Sequence, residues 1–72
     1  MFKLTQLEIN KPALISRITG EDVESKRLHS MGIVPGKTII VLRRTRHDTI
    51  HCRVSATEFA IRGKTAETIF VK

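Results

Sequence analysis

The sequence predicts a mainly β fold: a small barrel of about five short strands with one α-helix inserted at about residues 22–31. Three observations carry this. The stretch from Glu21 to Arg44 reads as helix, stop, turn, strand, with no Gly or Pro between Asp22 and Met31 and with Gly32 placed as a left-handed cap. Residues 49–54 alternate apolar and polar in the manner of a half-buried strand. The remaining apolar runs are too short for core helices and are bounded by turn chemistry.

Taken in order, Leu4 and Leu7 fit a strand start followed by one tight turn. Asn10-Lys11-Pro12 interrupts the pattern, and Asn10 suits a left-handed backbone. Ala13 to Ile18 is a strand candidate, with Leu14 and Ile18 on one face and Ala13 and Ile15 on the other. Thr19 and Asp22 have the spacing of a weak capping box for the helix, on which Glu24, Leu28 and Met31 share a face with Val23 near it. Val34-Pro35-Gly36 supplies a turn, and Ile39 to Leu42 then form an unbroken apolar run that suits a strand covered on both faces. Arg43 to Asp48 is a basic hairpin tip. The return strand Thr49–Val54 points Ile50, Cys52 and Val54 one way and Thr49, His51 and Arg53 the other. Thr57 to Ile61 is a further strand with Phe59 and Ile61 inward; Gly63 to Glu67 is a turn or a single helical turn. The last strand, from Thr68 to Lys72, sets Ile69 and Val71 on one face and Phe70 on the other. Together these are an SH3-like barrel in one domain over residues 1–72.

Length and charge narrow the function. A 72-residue chain buries only about 60% of its unfolded surface, so its stability rests on a small core. The one cysteine, Cys52, cannot form an internal disulfide and reads as a small core residue. No run approaches the roughly 20 apolar residues of a membrane span, and no signal-peptide core opens the chain, so a soluble, cytoplasmic protein with no membrane insertion is expected. Thirteen Lys and Arg against seven Asp and Glu give +6, a balance that favours an acidic partner. With three Phe and neither Tyr nor Trp, a stacking platform for single-stranded RNA is poorly supplied, and DNA is not expected.

No catalytic constellation is legible: there is no glycine-rich phosphate loop and no nucleophile with a base in reach, so a non-enzymatic binding module without a cofactor is expected. His29 has no second metal ligand at helical spacing. His47 and His51 would lie about 13 Å apart along an extended strand, too far to share an ion. No metal site, and no tight ferrous site in the isolated chain, is expected.

Three motifs in order at the right spacing resemble the FeoA family. Arg27-Leu28-His29-Ser30-Met31-Gly32-Ile33-Val34-Pro35-Gly36 is similar to its helix-and-turn motif, with Met31 in place of the usual Leu. Leu4, Leu7, Ala13, Ile15, Ile18 and Gly20 match its opening, and Phe59-Ala60-Ile61-Arg62, Ala66 and Ile69-Phe70-Val71 match its close. The chain departs from the family at the hairpin tip, where Arg46-His47-Asp48-Thr49 is shorter than the usual Pro-Leu-Gly-Asp-Pro. It departs also at Asn10 and Ala56, where the family has Gly.

The resemblance implies an SH3-like accessory protein of ferrous iron uptake, in a family associated with transition metals. Its partner would be the cytoplasmic GTP-binding portion of the membrane transporter FeoB. Arg27, Leu28, Pro35, Gly36, Arg44, Arg46 and Arg53 are the expected partner-binding residues, and Arg27, Arg44 and Arg46 the candidates for an arginine finger. Similar barrels end DtxR-like metal-dependent repressors; a chain starting at Met1 leaves no room for a winged helix, so an intact repressor is not expected. A second reading is RNA or ribosome binding, because Val34 to Val41 also resembles the opening of a KOW-type barrel, though without its second glycine-rich half.

Overall fold

The strand signals resolve into six strands where about five were expected. The computed structural model describes residues 2–72, so Met1, the first residue of the expected domain, lies outside it. The strands are β1 (Phe2–Lys3), β2 (Pro12–Ile18), β3 (Thr38–Arg44), β4 (Thr49–Val54), β5 (Thr57–Arg62) and β6 (Ile69–Val71). A 3₁₀ turn (Leu4–Gln6) follows β1, helix α1 (Asp22–Ser30) joins β2 to β3, and a one-turn helix α2 (Gly63–Ala66) joins β5 to β6. All pairings are antiparallel, in the order β1-β6-β2-β3-β4-β5. The molecule measures 27 × 24 × 24 Å, whereas a flat sheet with one covering layer would be markedly thinner in one direction. The sheet is rolled around its own core.

That core is the inward set of each strand. Ile15, Ile39, Val41, Cys52, Ile69 and Val71 are essentially inaccessible, with Leu4 from the 3₁₀ turn and Ile33 from the α1–β3 connection filling the ends. Ala13 and Ile15 are buried and Leu14 is exposed, as strand alternation predicts. Cys52 is inward with Ile50 and Val54, and burial pushes its thiol up to about 11.

The run Ile39–Leu42 is covered on one face only. Ile39 and Val41 are buried, while Ile40 and Leu42 stay half-exposed on the outer face. The register of β3 against β4 shifts between Val41 and Arg43, making Leu42 the extra residue of a bulge. Beyond it, Arg43 stands opposite His51 on the outer face and Arg44 opposite the buried Ile50. A second shift, between Ile15 and Arg17, bends β2 against β6.

The connections are short and depend on left-handed residues. Gly32 (φ +87°) ends α1 and Gly36 (φ +93°) completes the turn after Pro35. Asn10 takes φ 66°, and its N–H donates to the Val41 carbonyl at 2.7 Å. At the β4–β5 turn the left-handed residue is Ser55 (φ 57°), not Ala56. A two-residue hairpin turn of type II′ needs a positive φ only at its first position, so Ala56 replaces the family's Gly without strain. The Thr19 capping box does not form. The cap of α1 is Glu21 without a side-chain bond, and the Thr19 hydroxyl donates instead to the Thr68 carbonyl.

Gly63 has the strictest requirement. Its N–H donates to the Asp48 carbonyl at 2.7 Å, and a Cβ on it would fall 2.2 Å from Asp48 Oδ1. Asp48 is itself left-handed at φ 58° and exposed, so an added Cβ would force its carboxylate into another rotamer. Gly63→Ala is expected to destabilise by about 1–3 kcal/mol through overpacking, and Asp48→Gly, which removes the carboxylate and suits the backbone, to recover most of the loss. Denaturant midpoints of the single and double variants check the coupling; simple additivity would place the strain elsewhere.

Cys52 gives a second expectation. It should react with a thiol reagent far more slowly folded than denatured, because it is buried and its thiolate is disfavoured. A folded pKa raised from the model-peptide range means the thiol's contribution to stability is complete below about pH 9 and is lost as pH rises through about 11. Equal rates in both states would put the strand register off by one.

Candidate functional site

The sequence-predicted partner residues do not meet at one place. Arg27 and Leu28 stand on α1, beside a cleft of about 160 Å³ that separates the helix from the end of β5 and from α2. The spacing that put Glu24, Leu28 and Met31 on one helical face places all three along this cleft, with Ile61 and Arg62 across it. Leu28 is only 3% exposed, so it belongs to the core and forms the floor of the cleft; it is no free contact residue. Glu24 accepts a 2.5 Å hydrogen bond from the Thr65 hydroxyl, tying α1 to α2. The charged groups lining the cleft are thus the Glu24 carboxylate and the cations Arg27 and Arg62.

Pro35 and Gly36 are exposed but belong to a fixed turn. Gly36 N–H donates to the Ile15 carbonyl at 2.9 Å, and Ile15 N–H to the Lys37 carbonyl at 2.8 Å, which sew the turn to β2.

The hairpin arginines divide further. The bulge at Leu42 turns Arg44 towards the barrel mouth, where its guanidinium donates to the carbonyls of Thr5 and Leu7. Arg44 therefore braces β3 against the N-terminal turn. Arg46 is exposed at the β3–β4 tip, and Arg53 is exposed near the far end of β4, opposite Glu58 of β5. Strand rise separates the tip from Arg53 by about 15–20 Å, so they form two basic points and not a cluster. Arg62 and the Glu24–Thr65 tie escape sequence reasoning. The only signal for Arg62 is its place after the inward Ile61, and nothing local connects residues 41 apart.

Among the described residues, no three His, Cys, Asp or Glu side chains gather as a group that could hold a metal ion, and none of their helices is long and apolar enough to cross a membrane.

The model of the FeoA domain matches residues 2–72. This chain belongs to the FeoA family. The family is linked to ferrous iron transport and is accessory or regulatory in type. The chain is similar to a FeoA iron uptake regulatory protein at 28% identity and a TM-score of 0.89, over 99% of this chain and 95% of that one. FeoA of Stenotrophomonas maltophilia, an SH3 domain protein in complex with zinc, superposes with a TM-score of 0.85 at 21% identity, over 100% and 91% of the two chains. A manganese-dependent transcriptional repressor in complex with manganese gives 0.91 at 19% identity, over 99% of this chain but only 35% of that one, a likeness of fold alone. No curated protein matches the chain. The side chains described in this FeoA domain do not fit a metal centre, for want of a ligand group.

Arg44 allows a direct check of the division among arginines. Arg44→Ala is expected to cost about 1–2 kcal/mol, because two carbonyls lose a charge-assisted donor. Arg46→Ala should stay within about 0.5 kcal/mol. Thermal or denaturant unfolding measures both, and equal losses would remove the brace.

Proposed function

We propose that this FeoA domain is a cytoplasmic, non-enzymatic accessory protein that docks on the GTP-binding cytoplasmic portion of an FeoB-type ferrous iron transporter and modulates it. The observation that carries the reading is the family match over residues 2–72. The physical properties support it: a rigid barrel with short loops, a net charge of +6, and exposed cations at Arg27, Arg46 and Arg53 suit recognition of an acidic protein face. Charges of this kind chiefly speed encounter and select the partner. With Arg44 committed to the Thr5 and Leu7 carbonyls, Arg27 and Arg46 are the arginines free to reach a nucleotide site on such a partner.

Immobilised FeoB cytoplasmic portion should capture the chain, while total RNA should not shift with it; the converse result would favour an RNA-binding barrel. Arg46→Glu with Arg53→Glu should leave melting unchanged and slow association by about tenfold at low salt, with a shallower salt dependence. Arg27→Glu tests the helix side separately. Wild-type rates for the hairpin variant at both low and high salt, with slowing by Arg27→Glu, would move docking to the cleft beside α1.

A further inference from the structure

The outward face of the sheet changes character around the barrel. On β4 and β5 the outward residues are Thr49, His51, Arg53, Glu58, Ala60 and Arg62, largely the polar set that an antiparallel sheet turns to water. Across the paired stretch of β2 and β3 they are Pro12, Leu14, Ile40 and Leu42, with Thr38 the one polar member.

Register makes these apolar residues one stripe. Pro12 is the cross-strand partner of Ile40 and Leu14 of Thr38, and the bulge residue Leu42 follows Ile40 on the same face. Leu14 is 40% exposed, and Ile40 and Leu42 are half-exposed. Ile9, 45% exposed, is held at the Leu42 end because the next residue, Asn10, donates its N–H to the Val41 carbonyl. Single exposed apolar residues are ordinary on a protein surface, whereas a contiguous stripe marks a contact.

Cations border the stripe on both long sides. Lys72 and Leu14 exchange both backbone hydrogen bonds, so their side chains share the outer face. Arg53 stands opposite Ile40 on the other flank, and Arg43 follows Leu42. All three are exposed. The acids lie elsewhere. Of the seven Asp and Glu, Glu21, Asp22 and Glu24 are at the start of α1, Asp48 is at the hairpin tip and Glu67 follows α2. Glu8 is paired with Lys11, and Glu58 stands beyond Arg53 on β5. One wall of the barrel is therefore apolar and edged with cations, while most carboxylates sit on or beside the helices.

We propose that this wall is a contact face for an anionic phospholipid surface, on which the domain lies without spanning it. Long-stemmed cations around an apolar centre suit such a surface. The aliphatic side chains enter the headgroup boundary while the Lys and Arg stems reach the phosphates. Neither the cleft beside α1 nor the hollow lined by Thr5, Arg44 and Asp48 contains a stripe residue. The wall thus lacks the pocket that the anchor side chain of a protein partner fills, whereas lipid conforms to it. The inference rests on this wall alone and not on docking to a transporter.

Pelleting of the purified chain with large vesicles, with no other protein present, tests this. The chain should pellet with phosphatidylcholine vesicles that contain phosphatidylglycerol and not with phosphatidylcholine alone, and binding should weaken as salt rises. Arg43→Gln with Arg53→Gln should weaken it by about tenfold or more, whereas Lys26→Gln with Lys64→Gln, which removes the same charge from the two helices, should stay within about twofold. Leu14→Thr with Leu42→Thr, which keeps every charge, should also weaken it by about tenfold. Melting curves check folding, and Leu14→Thr alone, at a residue already 40% exposed, carries the comparison if the double variant melts early. A chain that fails to pellet with the mixed vesicles at low salt overturns the proposal and leaves the stripe to a protein partner. Equal losses from the two charge pairs would reduce the binding to net charge, and an unchanged affinity without the leucines would remove the stripe from it; either result overturns the proposal as well.

Discussion

The β3–β4 hairpin holds the other parts of the molecule through single polar ties at its backbone and its base. The Val41 carbonyl receives the Asn10 N–H, the Asp48 carbonyl receives the Gly63 N–H, and the Arg44 guanidinium reaches the Thr5 and Leu7 carbonyls. These three ties attach the N-terminal turn and the β5–α2 corner to one strand pair. A domain of 72 residues has a high ratio of surface to core, so non-local polar ties matter more than in a larger protein. Each also fixes a direction: the bulge at Leu42 decides that Arg44, and not Arg43, faces the barrel mouth. The inward row of Val41, Cys52 and Phe59 can stack only because the hairpin's register is set at both ends.

The same economy appears in the connections. The chain has four glycines, and only Gly32 and Gly36 are left-handed; Asn10, Asp48 and Ser55 supply the other positive φ angles. Asn and Asp tolerate this region because their short polar side chains bond locally. Gly63 is spent differently, on close approach to Asp48.

Periodicity made the core readable. Ala13 and Ile15, Ile50 to Val54, and Ile69 with Val71 face inward as a period of two requires. Gly32 and Asn10 were readable because left-handed positions have a small vocabulary. The failures share another physics. A bulge leaves no mark in composition, so the facing of Arg43 and Arg44 could not be settled locally. Ile39–Leu42 suggested burial on both faces because apolarity alone does not say how many faces are covered. At the β4–β5 turn the family's Gly falls on Ala56, yet the left-handed residue of this chain is its neighbour Ser55. Thr19 was taken from its expected capping role by a carbonyl from the opposite end of the chain, and no local rule anticipates that competition. Leu28 illustrates the limit for the candidate site: a motif position was legible, but its burial depended on what packs over the helix.

A net charge of +6 overstates the surface available for recognition. Arg44 is occupied by backbone carbonyls. Arg17 lies over the Phe70 ring at 5.2 Å, covering an outward aromatic by a cation–π contact. Lys11 pairs with Glu8 at 2.8 Å, and that partner holds the Glu8 carboxyl below its usual range, though exposed pairs of this kind add little stability. Arg53 stands beside Glu58 in register. The remaining arginines are grouped by fold position, Arg43 and Arg46 at and beside the hairpin tip, Arg53 towards the far end of β4, and Arg27 and Arg62 across the cleft, while exposed Lys3, Lys26, Lys37, Lys64 and Lys72 are spread over the chain. The same excess of positive charge thus does two jobs. Part of it closes the barrel and shields its outer apolar surface, and the arginines at the two ends of the β4–β5 layer would offer an acidic partner two separate points of approach.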